Sequence, residues 1–329
     1  MKATAISPAK TILFGEHFVV SGNTAISMAV DLPTRVQVET KLDDKLTIAS
    51  RDLAIAATFM TQSGKLVSAT REGAESILRP VFETAKFTLK KYDANTGLSI
   101  TVTSTAPIGM GLGSSAATAV ATVSAISAVL KKTISRQEIF EAAYSLEKII
   151  HGRPSGVDQA TVTFGGLITF RKGYVESHLT PADLPTIIIG NTGKRRSTGQ
   201  LISKVTELRQ NDPKRYDQLA SEAQNIANLA TEALNAGNAH EVGRLMNQNQ
   251  ALLELVGVSS PELQKLILAA RAGGALGAKL TGGGGGGCMI ALANDYASNV
   301  TEAIQEAGGE ILYGTFMPEG VKVSIDEEE

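Results

Sequence analysis

The chain has no tryptophan, a single cysteine and few aromatic residues, 5% in all. One cysteine, Cys288, excludes a disulfide framework within the chain, and a reducing compartment fits. Neither sign of charge dominates: 31 Lys and Arg stand against 33 Asp and Glu, a formal net charge of −2. That balance gives no reason to expect nucleic acid or an anionic membrane as partner. Long apolar runs are missing too. The longest, 116–130, is interrupted by Thr and Ser and does not suit a membrane span. The stretch from Met1 to Pro8 has no signal-peptide apolar core. A cytoplasmic protein without nucleic-acid or membrane partners is the expectation. What is present is ordinary for a globular protein: 43% hydrophobic and 19% charged residues. The length of 329 residues allows roughly two domains.

Glycine is abundant and unevenly placed. Pro107-Ile108-Gly109-Met110-Gly111-Leu112-Gly113-Ser114-Ser115-Ala116-Ala117 alternates three glycines, adds two serines and enters an Ala-rich segment, 115–130, without Gly or Pro. That composition predicts a helix. A helix N-terminus presents unpaired N–H groups and a positive dipole end. The loop is therefore a candidate phosphate cradle, with serine hydroxyls that suit a magnesium ion. Glycine followed by a serine N-cap is also ordinary punctuation before a helix. No Gly-x4-Gly-Lys-Ser/Thr run occurs, the glycine spacing is not that of a dinucleotide fingerprint, and nothing resembles a protein-kinase catalytic loop.

Three more stretches carry candidate chemistry. In Ser7-Pro8-Ala9-Lys10-Thr11-Ile12-Leu13-Phe14-Gly15-Glu16-His17, Pro8 favours extended backbone before it. Gly15 permits a bend that aims Glu16 and His17 into a cleft; the alternative is a pair of solvated turn residues. Around Glu147 a predicted helix, 135–150, starts at a capping box of Ser135 and Glu138. Gly152, Pro154 and Gly156 then turn the chain, so Asp158 can return near Glu147. Two such carboxylates could hold a cation and handle a proton. The alternative is a salt-bridged helix end followed by an N-capping Asp. Finally, Gly277-Ala278-Lys279-Leu280-Thr281 runs into six glycines, 282–287, and Cys288-Met289-Ile290. Bare composition reads as a flexible linker. The β-favouring flanks argue instead for close backbone packing around a ligand. Cys288 reads as a small core residue.

Elsewhere the pattern is mixed. Short β-favouring runs at 3–7, 11–14 and 35–40 are separated by turns, and 41–66 reads as a hairpin or irregular edge. A surface helix is expected within 67–92, with Pro80 as kink or start, and a strand at 98–103. Residues 181–185 read as a linker and 186–190 as a buried strand. Residues 200–272 are mostly helical, with Pro261 in the first turn of the last helix. A strand–helix–strand pattern closes the chain, and Asp326 to Glu329 form an acidic tail expected to be disordered. The class is α+β.

Residues 107–117 resemble the ATP-phosphate loop of the GHMP kinase superfamily. Pro8-x-Lys10 through Gly15-Glu16-His17, and His151-Gly152-x-Pro154-Ser155-Gly156-x-Asp158, are similar to the forms carried by its mevalonate-phosphorylating branch. The glycine run matches the third superfamily motif, with Gly283 where that branch commonly has Ala. The resemblance spans about Ser7 to Cys288. It implies an N-terminal domain like ribosomal protein S5 domain 2 (1–180) and a ferredoxin-like C-terminal domain (181–329), with the active site between them. It also implies ATP and mevalonate as substrates, Mg2+ as cofactor, and commonly a homodimer. Pro107, Gly109, Met110, Gly111, Leu112, Gly113, Ser114, Ser115 and Ala116 would hold the ATP phosphates. Ser115 and Glu147 would bind magnesium, and Asp158 would be catalytic with Lys10 beside it. Glu16, His17, Arg196, Thr198 and Gly283 would line the substrate side, and His151 would be structural. Lys194 and Arg195 depart from the branch's pattern and default to a solvated basic loop. Kinases of phosphomevalonate, homoserine or a sugar, and a non-catalytic protein of the same fold, are the alternatives at this point. Lys10, Ser115, Glu147 and Asp158 are all present, which favours an active enzyme.

Overall fold

The computed structural model describes all residues except 152–153, 182–184, 195–197 and 327–329; for 150–151, 198–200 and 202–203 it describes the backbone alone. β1 (Lys2–Phe14) and β2 (Ala25–Lys41) form a long antiparallel pair, joined through a single 3-10 turn at Phe18–Ser21. β1 is one strand where the sequence predicts two runs. A register shift between Ser7 and Ala9 absorbs Pro8, which has no N–H for the ladder. β3 (Lys45–Ser50), β4 (Ile55–Met60) and β5 (Leu66–Ala69) follow as a meander. Next come α1 (Ala74–Lys91), with Pro80 inside it, and β6 (Gly97–Ser104), parallel to β3. Three helices succeed one another: α2 (Ser114–Val129), α3 (Arg136–His151) and α4 (Val157–Phe164). The predicted capping box closes α3, with Glu138 N–H donating to Ser135 Oγ at 3.2 Å and Ser135 N–H to Glu138 Oε2 at 2.9 Å. The hairpin β7 (Leu167–Arg171) and β8 (Tyr174–Leu179) ends the first half.

The second half opens with β9 (Thr186–Asn191). Four helices follow: α5 (Thr198–Asn211), α6 (Pro213–Asn235), α7 (Ala239–Leu255) and α8 (Pro261–Ala272). β10 (Gly277–Leu280), β11 (Cys288–Ala293), α9 (Ala297–Glu306) and β12 (Glu310–Leu312) lead to a last strand, β13 (Lys322–Asp326).

The strands make two sheets. One has nine strands in the order β13-β1-β2-β6-β3-β4-β5, with β7 and β8 extending from β2. The other has four, β10-β11-β9-β12, all antiparallel. With helices between β9 and β10 and between β11 and β12, it has the ferredoxin-like arrangement. β13 leaves this second unit and pairs with β1, Lys2 opposite Asp326. Asp326 thus belongs to a strand and not to a disordered tail.

α2 explains the Ala-rich segment. It packs on β1 and β2, and small residues let it sit close to them. Its buried polar groups are satisfied within the helix: Ser124 and Ser127 hydroxyls donate to the carbonyls of Val120 and Val123 at 2.7 and 2.8 Å. One core joins the sheets: Phe14, Phe18 and Met28 of the β1–β2 region cluster with Ile189, Leu253 and Ile290 of the second unit. Among the described residues no helix is long and apolar enough to cross a membrane.

Candidate active site

The glycine loop opens α2 as the sequence predicts. Gly113 stands at the N-cap in left-handed backbone, φ 74°, and no side chain caps the helix. The first backbone bond into the helix comes from Ala117 N–H to Gly113 O, at 2.9 Å. The N–H groups of Ser114, Ser115 and Ala116 precede it and have no carbonyl of the helix to bond. Glycine at 113 is required twice over. Its φ is unfavourable for other residues, and a Cβ there would lie 2.7 Å from Lys10 Cγ. Both halves of the protein pin the loop: Lys10 N–H donates to Leu112 O at 2.9 Å and Cys288 N–H to Met110 O at 3.1 Å.

Beside the loop lies a cavity of about 380 Å³. Gly109, Ser114, Ser115 and Glu147 give it polar edges; Ile77, Val81, Val102 and Ile108 give it apolar walls. Bare N–H groups next to an apolar slot suit a molecule with phosphates at one part and a flat ring at another. Ser115 and Glu147 border this one cavity, so two hard oxygen donors face the same space. That donor chemistry fits magnesium.

Asp158 and Lys10 meet as expected. Lys10 Nζ lies 2.8 Å from Asp158 Oδ1; the lysine side chain is 2% exposed and the aspartate 37%. The aspartate therefore has a buried cation behind it and open space before it. It sits in the first turn of α4, another helix with a left-handed glycine N-cap, Gly156. Tyr144 of α3 fastens this turn: its ring is 2.9 Å from where a Cβ on Gly156 would be, and its hydroxyl donates to Pro154 O at 3.3 Å. Tyr144 lies one helical turn from Glu147, so it ties the two carboxylate-bearing helices together.

Glu16 and His17 part company. Gly15, φ 91°, bends the chain after β1, and His17 also has a positive φ, 63°. His17 is half-buried and its Nε2 lies 3.2 Å from Gly283 O. A carbonyl only accepts, so this nitrogen carries the proton. The contact brings His17 and Gly283 together. Glu16 points inward instead, 1% exposed. It pairs with Lys279, itself fully buried, and its other oxygen accepts from Asn249 Nδ2 at 3.2 Å. Burial pushes the Lys279 ammonium below the usual lysine range; Glu16 pulls it back up and Lys10 pushes it further down. Lys279 Nζ also donates to Leu280 O at 2.7 Å.

Just past the end of β10, the Thr281 hydroxyl receives Ile12 N–H at 2.8 Å and donates to Ile12 O at 3.1 Å. This side chain holds β1 to the start of the glycine run. Lys279, Asn249, Thr281 and Tyr144 were not singled out from the sequence. The usable signal was Lys279, a cation in a short strand of otherwise small and apolar residues. Arg195 and Arg196 lie outside the described residues, as do the side chains of His151 and Thr198. Lys194 is exposed, and its carbonyl accepts Gly287 N–H at 2.9 Å.

An uncapped helix behind alternating glycines, a lysine–aspartate pair beside it, and a nine-stranded sheet joined to a ferredoxin-like one are the features of a GHMP kinase. The family profiles agree: GHMP kinases N terminal domain matches residues 79–166 and GHMP kinases C terminal matches 230–310. Within that class, the chain belongs to the mevalonate kinase family. It is 38% identical over 331 residues to mevalonate kinase of Pyrococcus furiosus, covering 98% of both chains. It is 37% identical over 326 residues to that of Pyrococcus abyssi, covering 97% of both. The crystal structure of L. major mevalonate kinase in complex with R-mevalonate superposes with a TM-score of 0.78 at 26% identity, over 95% of both chains.

Proposed function

We infer that this protein transfers the γ-phosphoryl group of ATP to the 5-hydroxyl of mevalonate, giving 5-phosphomevalonate and ADP. The observation that carries this reading is the Lys10–Asp158 pair, 2.8 Å apart, beside the glycine loop. End-to-end similarity to mevalonate kinases supports it.

Phosphoryl transfer asks mainly for positioning and charge neutralisation. The N–H groups from Gly109 to Ala116 receive the phosphates, with Pro107 and Leu112 shaping the turn. Ser115 and Glu147 are the residues that would hold Mg2+, which when bound neutralises charge on the phosphate oxygens. Asp158 accepts the hydrogen bond of the substrate hydroxyl and takes its proton. Lys10 anchors that carboxylate. His17 and Gly283 line the substrate side, and Arg196 and Thr198 join them on the strength of the resemblance alone. Glu16 acts from behind, holding Lys279 under the His17 turn. A cytoplasmic homodimer completes the proposal, its assembly readable by light scattering.

The test is ADP release with MgATP against mevalonate, phosphomevalonate, homoserine, galactose and no acceptor, with the phosphate position fixed by product analysis. Turnover on mevalonate, phosphorylated at the 5-hydroxyl, is expected. Turnover confined to another acceptor would overturn the substrate assignment.

A further inference from the structure

The cavity beside the glycine loop also borders the turn that links β3 to β4. Asp52 sits on that turn. One of its carboxylate oxygens, Oδ2, accepts the N–H of Ser104 at 2.6 Å, which fixes the side chain against the end of β6. The turn itself is tied down, with Arg51 N–H donating to Val102 O at 3.0 Å. Asp52 thus lines the cavity on a fixed support, next to the apolar wall formed by Val102, Ile77 and Val81.

Two other polar side chains at this wall, Thr84 and Ser104, are committed to the protein. Thr84 donates to Pro80 O at 2.8 Å, within α1. The Ser104 hydroxyl shares a hydrogen with Thr34 Oγ1, also at 2.8 Å. Ser50 borders the cavity too, and its hydroxyl can rotate to donate or accept, so it does not discriminate. Asp52 is different in kind. A carboxylate accepts and does not donate.

We propose that Asp52 sets the choice of nucleotide base: it accepts a hydrogen bond from the exocyclic amine of a 6-aminopurine and rejects a purine with a carbonyl there. The proposal rests on reading the cavity as the nucleotide site. A 6-carbonyl facing Asp52 opposes two acceptors with no proton between them. A site built around a substrate N–H discriminates strongly against an analogue lacking it, because its own polar group is left unpaired.

The experiment compares ATP, ITP and 2′-deoxyATP as donors for the parent and for Asp52→Asn. ITP carries a carbonyl at position 6, and the asparagine amide can donate to it. The parent is expected to prefer ATP over ITP by about tenfold or more in kcat/KM. Asp52→Asn is expected to narrow that ratio by about tenfold and leave the ATP to 2′-deoxyATP ratio unchanged. An unaltered ATP to ITP ratio overturns the proposal. So does a change confined to 2′-deoxyATP, which would put Asp52 on the ribose, or an equal loss with all three donors, which would mean that Asp52 only anchors Ser104. Ile77→Glu, at a half-exposed position on α1, checks the underlying reading. It should raise KM for all three donors; an unchanged KM removes the nucleotide from this cavity and the proposal with it.

Discussion

The two sides of the site are made of different materials. The proposed phosphate side is backbone: one unbroken stretch, 107–117, with left-handed glycines and an uncapped helix end. The proposed acceptor side is charge. Lys10, Glu16 and Lys279 are each no more than 2% exposed; the first two flank the end of β1 and the third comes from β10, more than 260 positions on. Lys10 meets Asp158, and Glu16 meets Lys279. A backbone cradle depends on a few glycines and is indifferent to much else. Buried ions depend on one another, because an ion left without its partner in the interior is costly. The acceptor side should therefore fail as a unit where the phosphate side loses affinity by degrees.

Asp158→Asn should break the contrast open most widely. Turnover is expected to fall by about 10³-fold, within the range for a lost general base. Nucleotide binding, followed by titration of the same variant, should stay close to that of the parent. Lys279→Met comes next. It strands the Glu16 carboxylate in the core and should cost about 3–5 kcal/mol in urea unfolding. Adding Glu16→Leu should recover much of that loss; a double variant no more stable than the single one would deny that the pair acts as a unit. Gly113→Ala probes the other side. Left-handed backbone and the close approach to Lys10 should cost about 1–3 kcal/mol, seen mainly as a raised KM for ATP. A fall in kcat with KM untouched would mean that the cradle and the ion pair are one device. Smallest is Tyr144→Phe, which removes the bond to Pro154 O. About 1 kcal/mol of stability and a severalfold drop in kcat are expected. Unchanged kcat would show that the link between α3 and α4 does not position Asp158.

The same contrast explains what could be read from the sequence. The glycine loop was legible because its shape is written in consecutive residues: glycines for the turn, small residues for the helix behind it. The Ser135–Glu138 cap and Pro261 at the start of α8 were legible for the same local reason. Lys10 and Asp158 were legible through resemblance, since nothing in either neighbourhood announces the other. Glu16 shows where this stops. Its motif is local, but its burial depends on Lys279 and Asn249, more than 200 positions away. A glutamate beside an exposed turn and one under it look alike in sequence. β1 illustrates the converse, because a proline that reads as a break is absorbed by a bulge once β2 lies alongside.

The return of β13 to β1 bears on how the protein is made. During synthesis the first residues emerge long before residues 322–326, so the nascent N-terminal sheet waits with the edge of β1 unpaired. An open edge of this kind invites pairing with other chains. The first half of the molecule to be translated is therefore among the last to be finished, and a ribosome that stops early releases a sheet lacking its closing strand.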